Sequence, residues 1–187
     1  MARTLVAMFI LALASAACAS GSAGNAYFPL GAGNRWTLEA EDGGRPATIS
    51  IAQASSDVLV LRGLPGTREL HVRTVGRTIE AWDDGQHRWE ALLRLGARAG
   101  TKYTVNLSGL SLWRNVQVTV ASRTAVVHDA RDRTFRNCVR LTFRYPKGLV
   151  DAGLEELVFA PEVGIVRTSV QTIAGPRVSV LRSYRLT

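Results

Sequence analysis

The chain has 187 residues, with 23 Lys or Arg against 15 Asp or Glu, a formal charge of +8 and 47% hydrophobic residues. That balance gives one folded domain and excludes a disordered, collagen-like or disulfide-scaffold chain. No apolar run reaches the roughly 20 residues that a membrane-spanning helix needs.

The first element is a leader. Arg3 supplies a positive start and Leu5 to Ala14 (LVAMFILALA) is an unbroken apolar run of ten residues. At about 1.5 Å per residue, such a helix falls well short of a bilayer's roughly 30 Å, so it reads as a signal peptide and not an anchor. Two processing routes fit the small residues that follow. Ser15-Ala16-Ala17-Cys18 resembles the bacterial lipobox, in which the cysteine is acylated, although Ser15 stands where leucine is usual. The other route is ordinary cleavage after Ala16 or Ala19. Residues 1–17 are thus a signal peptide, 18–26 a flexible small-residue tether and 27–187 a single β domain. Acylation of Cys18, or cleavage that removes it, leaves Cys138 without a partner, so no disulfide is expected.

Beyond the tether the period is two. Ile49 and Ile51, Leu70 and Val72, Ile79 and Ala81, Tyr103 and Val105, Val116 through Val120, and Val139 through Tyr145 each alternate with polar neighbours. Alternation puts the apolar members on one face of a strand and leaves the other face in water. Turn residues punctuate the runs at Asp42-Gly43-Gly44, Leu64-Pro65-Gly66, Val75-Gly76-Arg77, Asp83-Asp84-Gly85, Pro146-Lys147-Gly148 and Ala174-Gly175-Pro176. Only His87 to Leu95 departs, with a spacing that fits one or two helical turns ended by Gly96 and Gly100. The expected fold is all-β: an antiparallel meander curled into a barrel, a half-barrel or a two-layer sandwich.

An internal echo accompanies the strands. Leu30-Gly31-Ala32-Gly33-Asn34-Arg35-Trp36-Thr37-Leu38 and Leu95-Gly96-Ala97-Arg98-Ala99-Gly100-Thr101-Lys102-Tyr103-Thr104-Val105 share Leu-Gly-Ala, a later glycine, an aromatic and a threonine. Either a duplicated unit near 27–90 and 92–187 or reuse of one turn solution explains it.

The opening Tyr27-Phe28-Pro29-Leu30 with Gly33-Asn34-Arg35-Trp36-Thr37, the segment Phe135-Arg136-Asn137-Cys138 and the run Phe159-Ala160-Pro161-Glu162-Val163-Gly164-Ile165-Val166 occur in this order. Together they resemble a group of bacterial exported β-proteins, many of them lipoproteins. The resemblance implies an envelope location and says nothing about chemistry, because the matching residues are turn and core types. In the last run, Pro161 and Gly164 are expected to shape a hairpin across which Phe159 and Val166 pack.

Chemistry is scarce in the sequence. His71, His87 and His128 do not fall at metal-ligand spacing, and no cofactor motif occurs, so neither a metal nor a cofactor is expected. His128-Asp129 is half of a nucleophilic triad without its Gly-x-Ser-x-Gly elbow, which leaves a hydrolase as the alternative function. Trp36, Trp82, Trp89 and Trp113 read as core or rim aromatics.

Charge is uneven along the chain. From Ala91 to Lys147, eleven basic residues face two acidic ones, a balance of +9. Such a field favours anionic partners, and Arg94, Arg98, Lys102, Arg114 and Arg123 are the candidate contacts to an anionic headgroup if a half-barrel cavity holds an acyl chain. Arg140 and Arg144 share a face that lacks aromatics, so a nucleic-acid platform is not expected. The expected function is therefore a non-catalytic binding or structural module of the cell envelope, periplasmic or lipid-anchored to a membrane through Cys18, with an amphiphilic or anionic ligand.

Overall fold

The computed structural model describes residues 26–146 and 153–187. The signal segment, Cys18, most of the tether and Lys147 lie outside the described residues. One half of the described chain forms β1 Arg35–Ala40, β2 Ala47–Gln53, β3 Leu59–Arg62, β4 Glu69–Val75, β5 Thr78–Asp83 and β6 Arg88–Leu93. The other forms β7 Lys102–Val105, β8 Val116–His128, β9 Thr134–Arg144, β10 Gly153–Ala160, β11 Gly164–Thr172 and β12 Gly175–Arg185. Each strand pairs antiparallel with its chain neighbour within a half, and β12 returns to pair with β1. The result is one twelve-stranded sheet in the order β6-β5-β4-β3-β2-β1-β12-β11-β10-β9-β8-β7.

Its two end strands, β6 and β7, are consecutive in the chain, and the sheet curls until they meet. Tyr103 of β7 accepts a hydrogen bond from Arg94 N (3.2 Å) and donates to Leu92 O (3.5 Å) beside β6. Past the other end of the junction, Asp83 accepts from Ser108 N at 3.0 Å and Ser108 Oγ at 2.5 Å. The fold is thus an all-β barrel whose closing seam is bridged by side chains. Burial follows the alternation: Trp36, Leu38, Ile49, Ile51, Val72, Ile79, Ala81, Val116, Val118 and Val120 all point inward into one core cluster. Burying one such side chain contributes roughly 1.5–3 kcal/mol, which is why the period selects the face.

The echo marks corresponding places in the two halves. Gly33 (φ +93) and Gly100 (φ +85) each precede the first strand of a half. Gly33 N donates to Ile51 O and Ile51 N to Asn34 O, both at 2.9 Å. Gly100 N donates to Val120 O at 2.7 Å and Val120 N to Thr101 O at 2.9 Å, the same exchange with the second strand of that half. Trp36 and Tyr103 then turn into the core three residues after each glycine.

Two expectations are corrected. His87 to Leu95 is not helical: β6 occupies Arg88–Leu93, because Trp89 pairs with Trp82 across the sheet and a bulge near Leu92 sends both Leu92 and Leu93 inward, which imitates helical spacing. The single turn of helix among the described residues is a 3-10 turn at Ser111–Trp113, where Trp113 plugs the core and donates from Nε1 to Pro65 O at 2.9 Å. Phe159 stands opposite Ile165 and not Val166, since a bulge between Val158 and Phe159 shifts the register.

Candidate functional site

The candidate dyad does not assemble. Asp129, 5% exposed, begins the β8–β9 turn and accepts hydrogen bonds from Arg131 N (2.8 Å), Arg133 N (2.9 Å) and Arg133 Nε (2.6 Å). Burial pushes its carboxyl up, but the donors of Arg131 and Arg133 outweigh that and hold it below the usual range. His128 faces solvent and shares a 3.2 Å contact with Thr134 Oγ1 through Nδ1. The carboxylate therefore shapes a hairpin and does not orient the imidazole. Cys138 is buried, and burial pushes its thiol up to about 11, the opposite of an activated nucleophile. Among the described residues, no group of three or more His, Cys, Asp or Glu is placed to hold a metal.

The five candidate cations are not brought to one site. Arg123 is structural: Nη1 donates to Leu95 O (2.7 Å) and Ala97 O (2.9 Å), and its guanidinium lies 5.1 Å from the Tyr27 ring centroid. Arg94 lies 5.0 Å from the Tyr103 ring centroid. Arg98 is exposed on the connection between β6 and β7, and Arg114 is exposed before β8. The concave side expected to hold an acyl chain carries the protein's own core among the described residues: Phe28, Trp36, Trp113 and Phe159 are at most 1% exposed. The convex side carries a polar candidate.

Lys102 stands there. It lies opposite Thr119, which lies opposite Thr142, while Gln117 lies opposite Arg144 one step along the strands. Period two puts these five polar groups on the outer face of β7, β8 and β9. With Phe143 they line a depression of about 210 Å³. Neither Lys102 nor Arg144 has a partner among the described residues. The nearest acid in the same row is Glu156, opposite Thr142, and its charge is already met by Arg140 at 3.1 Å and Arg167 at 3.2 Å. Two uncompensated cations beside two hydroxyls and an amide can bind an oxyanion, with charge from the cations and directed donors from the neutral groups.

Several other arginines pair with acids across the sheet. Arg167 reaches Glu41 at 3.0 Å, Arg177 reaches Asp42 at 3.2 Å and Arg73 reaches Glu80 at 2.8 Å.

No family model and no curated protein matches the chain. Two solved structures are similar in shape. A Bacteroides fragilis protein described as exported, with a YmcC-like fold, aligns at a TM-score of 0.43 and 13% identity, over 86% of this chain and 99% of that one. A Parabacteroides distasonis protein described as a lipoprotein aligns at 0.40 and 11% identity, over 87% and 99%.

Arg144, which lines this depression, was not among the candidate cations read from the sequence. Its signal was the shared parity of Thr142 and Arg144 with Gln117 and Thr119, but parity names a face and not the neighbour across it.

Proposed function

We propose that the chain is an exported cell-envelope protein, held at a membrane by a lipid on Cys18, whose convex sheet is a non-catalytic binding face for an anionic group. The apolar leader, the Ser15-Ala16-Ala17-Cys18 segment and the small-residue tether support export and anchoring. The observation that carries the binding role is the pair Lys102 and Arg144, uncompensated over a depression edged by Thr119, Thr142 and Gln117. A lipid phosphate and a free phosphate share the chemistry this face recognises.

Two experiments test the reading. Cys18→Ser should move the protein from the membrane to the soluble fraction, and an unchanged distribution would remove the anchor. In that soluble background, flotation with phosphatidylglycerol vesicles reads the lipid arm and calorimetry with inorganic phosphate reads the free-anion arm. Each Lys or Arg near an anionic surface contributes roughly 1 kcal/mol, so Lys102→Glu with Arg144→Glu should weaken vesicle binding by more than about tenfold. Binding equal to that of the parent protein, or no binding to either probe, would sink the proposal.

A further inference from the structure

We infer that the convex face of β4, β5 and β6 carries a second site, a platform for a neutral saccharide centred on Trp82. The four tryptophans divide cleanly. Trp36 and Trp113 are fully buried, whereas Trp82 and Trp89 are half-buried on the outer side of the sheet, opposite one another in register. Their rings meet edge to face with centroids 5.5 Å apart. Cross-strand aromatic pairs stabilise hairpins, and that accounts for the contact between the two rings. It does not account for what surrounds Trp82.

Trp89 is covered: the Arg73 guanidinium lies 4.3 Å from its ring centroid and is itself held by Glu80 at 2.8 Å. Trp82 instead borders an open depression of about 200 Å³ that it shares with Glu69, Leu70, His71 and Asp84. His71 and Asp84 have no partner among the described residues. Glu69 gives one carboxylate oxygen to Arg62 Nε at 3.0 Å and keeps the other. An indole surface is therefore flanked by two acids and an imidazole that have hydrogen-bonding capacity left over.

The chemistry selects the occupant. A pyranose ring has an apolar C–H face that packs on an indole and hydroxyls on its rim that donate to carboxylates or exchange donor and acceptor roles with imidazole. Sites of this type combine apolar contact with a few placed polar groups. Glu69 and Asp84 beside the ring disfavour a phosphate or an anionic lipid surface by like charge, which separates this site from the Lys102 and Arg144 face. The inference does not depend on the proposed anion site.

The test uses soluble Cys18→Ser protein and three neutral probes: chitohexaose, cellohexaose and maltohexaose. Because Trp36 and Trp113 are shielded in the core, a ligand at this site should change the emission of Trp82 and Trp89. At least one probe should give a saturable change that is insensitive to salt and to charge reversal at Lys102 and Arg144. Trp82→Ala should weaken that binding by about tenfold or more, and Trp82→Tyr should restore part of it. Asp84→Asn, an exposed change that leaves the core untouched, should also weaken it. The inference is overturned if none of the three saccharides binds by fluorescence or calorimetry. It is likewise overturned if binding survives Trp82→Ala in a folded variant, or if phosphatidylcholine vesicles and not saccharides produce the Trp82-dependent change.

Discussion

Trp36→Ala should destabilise the barrel by on the order of 4 kcal/mol, the range for deleting a buried large aromatic. Trp36 is 0% exposed, packs on Phe28 at 4.9 Å between centroids, and through Phe28 joins Phe159 at 5.3 Å. Its Nε1 donates to Val163 O at 2.6 Å, so truncation also orphans a buried carbonyl. Domains of ordinary stability have about 5–15 kcal/mol in total, so this one side chain represents a large share. For a chain of this length, the thermal midpoint should fall by roughly 10 °C. Trp82→Ala, on the outer face, should cost far less. A Trp36→Ala melt within about 2 °C of wild type, on the same scaling, would refute the central role of this cluster.

Gly164 supplies the internal control. It sits at φ +104, and a Cβ built there would lie 2.6 Å from Trp36 Nε1. Gly164→Ala therefore strains the backbone and pushes against the indole. With Trp36 already truncated, the steric part of that cost should vanish and only the backbone part should remain. The double variant should be more stable than the sum of the single effects predicts, which is the signature of direct contact. Strict additivity would mean that the indole and the hairpin are not packed as described.

The same cluster shows what the sequence could and could not disclose. Phe28, Trp36, Phe159 and Gly164 belong to the motifs that carry the resemblance, and their types pointed to turns and core. That Trp36 bonds across 127 residues to Val163 was invisible, because pairing of β12 with β1 is a long-range choice that period two does not encode. The glycine echo was legible because Gly33 and Gly100 solve one local problem, a positive φ before a buried aromatic, and local problems leave local signals. His87 to Leu95 misled because a bulge puts two successive leucines inside. The proposed binding faces were the least legible part. Lys102 was visible as charge, but Arg144 becomes its neighbour only once β7, β8 and β9 are in register. Trp82 and Trp89 differ from Trp36 by the face of the sheet they take, and Trp113 enters the core from a 3-10 turn.

Acid should loosen the barrel at its seam. Asp83 is 2% exposed and ties the β5–β6 turn to the segment after β7, accepting from Ser108 N, Ser108 Oγ and Gly85 N. Burial alone would raise its carboxyl, but the donors of Ser108, Gly85 and Gln86 outweigh burial and hold it below the usual 3.8. A carboxyl depressed in the folded state stabilises the fold above its unfolded value and loses that contribution as pH falls through the folded value. Asp83→Ala leaves three part-buried hydrogen bonds from Ser108 and Gly85 without an acceptor and should cost on the order of 3 kcal/mol at neutral pH. Asp83→Asn keeps the shape and removes the charge. Its urea midpoint should lie below that of wild type at neutral pH, and the gap should narrow as the pH falls below 3.8 and close once it has passed through the lower, folded-state value of the wild-type carboxyl. Asp129 is depressed as well and titrates in both proteins, so the difference between them isolates Asp83. Parallel midpoint curves across that range would show that the Asp83 and Ser108 contact does not hold the seam, leaving Tyr103 and Arg123 to join the ends of the sheet.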